Sequence, residues 1–95
     1  MKVIRYETVA DMKKSVDTVS FEISKAIVEE ISKNIDKKEP YIILSLYTKE
    51  ADSYLDFTMD PKEHKDALLI NLENFEKMED YEGCFNIMEL IKKIK

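Results

Sequence analysis

A single glycine and two prolines in 95 residues leave the chain few places to make loops. That scarcity excludes a loop-rich or disordered chain and predicts long regular elements joined by short connections. One cysteine, Cys84, excludes an intramolecular disulfide and a zinc site built on cysteines. It fits a reducing compartment. There is no tryptophan, and His64 is the sole histidine. No stretch approaches the ~20 consecutive apolar residues of a membrane span. The segment from Met1 to Tyr6 lacks the apolar run of a secretory leader. Residues 1–95 therefore read as one small domain, expected to be soluble and cytoplasmic.

Charge is what the sequence has in excess. Charged residues make up 37% of the chain, against the usual quarter, and the net charge is −5. The distribution is uneven. Between Asp60 and Glu82 stand eight acids and three lysines, which accounts for the whole net charge; the remainder carries twelve acids and twelve bases. Such a stripe disfavours phosphate backbones and membrane surfaces, so neither nucleic acid nor a membrane is expected as a partner. A basic protein partner fits it, with Glu73, Glu76 and Glu79 as candidate contacts. The bland reading is a solvated helix face.

Residues 9–36 read as one long helix, because Val9, Met12, Val16, Val19, Ile23, Ala26/Ile27, Ile31 and Ile35 recur at steps of three and four. Thr8 suits the N-cap, with Asp11 three residues on. At 1.5 Å per residue such a helix measures about 42 Å, more than the roughly 25–30 Å core of a compact chain this size. Either it breaks near Val16–Ser20, where β-branched residues and serine weaken helical propensity, or it projects and pairs with a second copy.

Residues 41–48 and 53–59 read as a β-hairpin around Lys49–Asp52. A four-residue loop sets Tyr47 opposite Tyr54. One face then holds Ile42, Leu44 and Leu46 against Met59, Phe57 and Leu55, wholly apolar as a core face should be. Tyr41, Tyr47 and Tyr54 share the other face. Tyrosine has an apolar body and a polar tip, which suits an interface; alternatively another element covers that face. Lys2–Tyr6 is available as a third strand, since an isolated hairpin is marginal.

Asp60 and Pro61 open the next helix, with the apolar stripe Leu68 or Leu69, Leu72, Phe75 and Met78. Asp80 caps a last helix bearing Cys84, Ile87, Met88, Ile91 and Ile94. The expected class is α+β: a long N-terminal helix, a small antiparallel hairpin sheet and a C-terminal helical hairpin.

Leu68, Leu72, Tyr81-Glu82, Cys84, Ile87, Glu89 and Ile91 stand at the spacing of a known unit. Residues 68–94 resemble the UVR motif, a helical hairpin of nucleotide-excision-repair subunits and of some chaperone and kinase-activator proteins. Phe85 and Met88 depart from its small residue and arginine. The resemblance implies protein–protein docking through a paired hairpin and carries over no catalytic residue. It is confined to that stretch.

Sites of chemistry are sparse. His64 falls in the first turn of an acidic helix and reads as a surface histidine whose pKa neighbouring carboxylates raise. Asp52, Asp56 and Asp60 recur every four residues but lack the spacing and glycine of a calcium loop. Cys84 lies on an apolar helix face and reads as a small core residue. There is no glycine-rich phosphate loop and no Ser/His/Asp or Cys/His arrangement. No catalytic residue, metal or cofactor is expected. The favoured function is a non-catalytic protein-binding or accessory domain working as a homodimer. The alternatives are an acidic inhibitor or immunity-type protein masking a basic site, and an enzyme assembled across a dimer interface.

Overall fold

The computed structural model describes residues 2–94. The elements run β1 (Lys2–Tyr6), α1 (Val9–Asp17), α2 (Phe21–Lys33), β2 (Tyr41–Thr48), β3 (Ser53–Met59), a 3-10 turn at Pro61–Glu63, α3 (His64–Lys77) and α4 (Tyr81–Lys93). The class is α+β, but the long N-terminal helix is not there. The chain breaks at Thr18–Ser20, and the second helix stops at Lys33. Val19 takes a positive φ of 47°, and the Ser20 amide reaches back to the Ser15 carbonyl. The Ser20 hydroxyl then accepts from the Ile23 amide and starts α2. This is the left-handed helix stop, followed at once by a new N-cap. The same device recurs between α3 and α4. Glu79 has φ 56°, the Asp80 amide bonds the Phe75 carbonyl, and the Asp80 carboxylate accepts from the Gly83 amide.

The sheet is also not purely antiparallel. β1 is its third strand and pairs in parallel with β2, Lys2 through Tyr6 against Leu44 through Thr48. β2 and β3 form the expected antiparallel hairpin, with Leu44 opposite Phe57 and Tyr47 opposite Tyr54. A bulge at Ile43 alters the register beyond Leu44. A bulge adds one unpaired residue and so exchanges the faces on its far side. Ile42, expected in the core, is 41% exposed; Ile43, expected outside, is 2% exposed. Tyr41 is exchanged too and now pairs with Met59.

α1 and α2 cover the face of the sheet that carries Ile43, Leu44 and Phe57. α1 and α2 pack on β1 and β2, α3 on the flank of α2, and α4 on α3. Ile4, Ile31, Leu44, Leu46, Leu68 and Ile87 form the centre of the core. Across α2 and α3, Phe21 and Phe75 meet edge to face at 4.9 Å, and Asn74 donates to the buried Ser24 hydroxyl at 2.8 Å. Gly83 is needed where α4 crosses Phe75: a Cβ there would lie 2.4 Å from Phe75 Cδ2. Met78 and Met88, assigned to apolar stripes, are instead exposed. At the outer edge, Val19, Ile23 and Ile27 of the helical layer face Ile43, Phe57 and Met59 across an apolar cleft of about 270 Å³.

Candidate functional site

The bulge and the 3-10 turn together place the one histidine. β2 begins with Tyr41 turned toward the helices, and Pro61–Glu63 swings the start of α3 over it. His64 is 2% exposed, not the surface histidine that its acidic neighbours implied. Its Nε2 lies 2.8 Å from Tyr41 Oη, with the rings edge to face. Burial pushes the His64 pKa down, outweighing the raising influence of Asp60. Burial, and next the charge of Glu30, pushes Tyr41 up to about 12. At neutral pH the imidazole and the phenol are therefore both uncharged, which is how a buried polar pair is cheapest to keep. The pair ties the sheet to α3, and the Lys37 ammonium stands 5.4 Å from the centre of the Tyr41 ring.

The other titratable candidates are each occupied locally. Asp52 accepts from the Tyr47 hydroxyl at 2.6 Å, Asp56 from the Ser45 hydroxyl, and Asp60 caps the Lys62 amide at 3.0 Å. These three acids do not converge. Among the described residues no group of histidine, cysteine and acid side chains is placed to hold a metal ion. Cys84 is buried in the core, as its helical position indicated. Burial raises its pKa, reinforced by Glu76 and Asp80, so the thiol keeps its proton. No described helix is long and apolar enough to cross a membrane.

The tyrosine face divides in two. Tyr47 and Tyr54 stand side by side on the open face of the sheet, ring centroids 4.9 Å apart, with Arg5 over the Tyr47 ring at 5.2 Å. The hydrogen bond to Asp52 raises the Tyr47 pKa. Tyr41 does not join them.

The acidic stripe is exposed as expected. Glu73, Glu76 and Glu79 all face solvent, and among the described residues only Glu73 has a lysine within reach, Lys77 at 3.6 Å. What sequence reasoning missed lies beside them. α4 buries Cys84, Ile87 and Leu90 and turns a second apolar stripe outward. Tyr81, Phe85 and Met88 are 67%, 61% and 51% exposed, and their spacing of four and three puts them on one helical face. Leu69, Ile70 and Met78 are exposed on or just after α3. Glu79, Asp80 and Glu82 surround the start of this stripe in sequence. The signal was available: α4 has more apolar residues than one buried face uses, and Phe85 sits one residue off the buried period. The outer surface of α3 and α4 thus combines large apolar anchors with a strongly acidic margin. Comparison with protein-family models, with curated proteins and with solved structures gave no match to this chain.

Proposed function

We propose that the chain is a small, non-catalytic protein-binding domain that serves as a self-associating accessory subunit and docks a basic partner on the outer surface of α3 and α4. The observation that carries this reading is the exposed Tyr81–Phe85–Met88 stripe. Monomeric surfaces seldom leave large apolar side chains aligned in water, and aromatic residues and methionine are the types enriched where proteins meet. The acids along Asp60–Glu82 supply the sign: they steer a positively charged surface toward the anchors. The likeness of residues 68–94 to the UVR motif points toward the same use of a helical hairpin. An inhibitor or immunity-type protein masking a basic site on an enzyme is the second reading, favoured by the same concentration of acid.

The test is a pull-down from native lysate at low and moderate salt with wild type, Phe85→Asp, and the triple variant Glu73→Lys, Glu76→Lys, Glu79→Lys. All four positions are exposed, so the fold should be retained. The expected result is a set of basic proteins captured by wild type, lost with Phe85→Asp at either salt concentration, and lost with the triple variant chiefly at low salt. Identical partner profiles for the three proteins sink the reading. Inhibition of a captured enzyme by the wild type decides for the second one.

A further inference from the structure

β3 ends the sheet, so one of its two rows of backbone groups is unpaired. Edge strands normally carry a device against further pairing: a lysine, a proline, a bulge, or a cover. β1, the opposite edge, has Lys2 and Arg5. β3, Ser53–Met59, has no lysine, arginine, proline or glycine, and its one charge is Asp56. The bulge in this hairpin lies in β2. The helical layer also stops short of β3. Leu55, on the same side as Leu46, is 45% exposed, and the apolar cleft opens beside Phe57 and Met59.

We infer that β3 pairs antiparallel with β3 of a second copy of this chain, joining two sheets into one of six strands and closing both clefts. The inference deepens the self-association part of the reading above and names the surface. What points to a second copy is the complementarity of the strand with itself. A two-fold axis normal to the sheet must pass through one residue, because opposed residues share a face. Centring it on Asp56 sets carboxylate against carboxylate, which is destabilising. Centring it on Thr58 sets Asp56 against Asp60, and centring it on Leu55 wastes Phe57 against Ser53. Centring it on Phe57 sets Phe57 against Phe57 and Leu55 against Met59, an unbroken apolar row on the helix side. On the open side Asp56 meets the Thr58 hydroxyl and Tyr54 meets Asp60. Each carboxylate thereby faces a donor.

The experiment is sedimentation of the full chain at micromolar concentration, with Leu55→Lys and Phe85→Asp in parallel. Wild type should run at about twice the 11.2 kDa chain mass. Leu55→Lys alters an exposed position; it should give a monomer with an unchanged circular dichroism spectrum. Phe85→Asp should remain a dimer, so loss of partner binding and loss of self-association read out separately. Register is then fixed by oxidation of Phe57→Cys and Leu55→Cys. On the Phe57-centred axis two residues 57 stand about 4.5–5.5 Å apart between Cα atoms, within disulfide range. Two residues 55 are four residues out of step, about 13 Å along the strand. Linked dimers from Phe57→Cys alone bear the proposal out. A monomeric wild type, a Leu55→Lys dimer, or linkage through position 55 instead each overturns it.

Discussion

Residues 9–33 and 64–93 are two helical segments that the chain divides by the same local device, yet the sequence marks the second division outright and the first only as one of two alternatives, a break near Val16–Ser20 or a projecting helix. In both, a residue with positive φ ends one helix, the next amide bonds five residues back, and a capping side chain starts the second helix. At the second break the residues are Met78, Glu79, Asp80 and Tyr81, and two adjacent acids interrupt the apolar period. At the first, Val19 fits the apolar period while adopting the conformation least comfortable for a β-branched residue. The break falls where β-branched residues and serine already weaken the helix, and the tertiary structure holds Val19 in the left-handed region. The break lets α1 and α2 each pack on β1 and β2, with Ile23, Ala26 and Ile31 of α2 buried.

Phe75 touches both breaks, packing against Phe21 just after the first and beneath Gly83 just after the second. Phe75→Ala should therefore have the largest effect, a loss of ~3–5 kcal/mol as for other buried aromatics, read by urea unfolding. A loss under half of that would show that the segments are secured elsewhere. Gly83→Ala acts from the second break. Its methyl group must displace the Phe75 ring, and overpacking of this kind costs ~1–3 kcal/mol. The φ of Gly83 is not positive, so the cost is steric and should shrink when combined with Phe75→Leu in a double-mutant cycle.

The comparison of the breaks themselves is sharpened by glycine. Val19→Gly relieves a left-handed β-branched residue that is already exposed, and should raise stability by ~1 kcal/mol. Glu79→Gly should gain about half as much, because glutamate lacks the branch. Equal gains, measured by thermal unfolding, would mean that the Val19 side chain carries no strain of its own.

The smallest effect concerns the other end of the segments, where His64 meets Tyr41. The folded state lowers the His64 pKa below its ordinary 6.5, so the unfolded chain binds the proton more tightly. Stability from this group is full above about pH 6.5 and declines as pH falls through the lowered value. Tyr41, raised from 10.0 to about 12, does the reverse: its contribution is full below pH 10 and is lost as pH rises toward 12. His64→Gln should flatten the acid limb of the stability profile and leave the alkaline limb in place. An unchanged acid limb would assign it to the carboxylates.

The hairpin register around Leu44 and Leu46 was legible because alternation and turn length agreed. The bulge was not, since Ile42-Ile43-Leu44 offers three interchangeable apolar residues, and only the packing of the helical layer decides which two turn inward. That choice also decided the fate of Tyr41 and His64, so a one-residue slip removed a tyrosine from the expected face and buried a histidine expected in water. The parallel pairing of β1 was hidden because it joins residues far apart in the chain. The acidic half of the candidate surface was readable from charge alone. Its apolar half was not, because Phe85 and Met88 look like core residues until α4 shows which face it buries.

That parallel pairing has a consequence for the order of assembly. The β2–β3 turn closes over four residues, Lys49–Asp52, whereas joining β1 to β2 closes the loop formed by residues 7–40. Each doubling of loop length adds about 0.6 kcal/mol of closure entropy, so the roughly three doublings between these loops amount to about 2 kcal/mol. The hairpin closes the cheaper loop, while β1 gains nothing by docking until α1 and α2 have folded and drawn its end of the chain back. β1 is thus expected to join the sheet after the β2–β3 hairpin has closed.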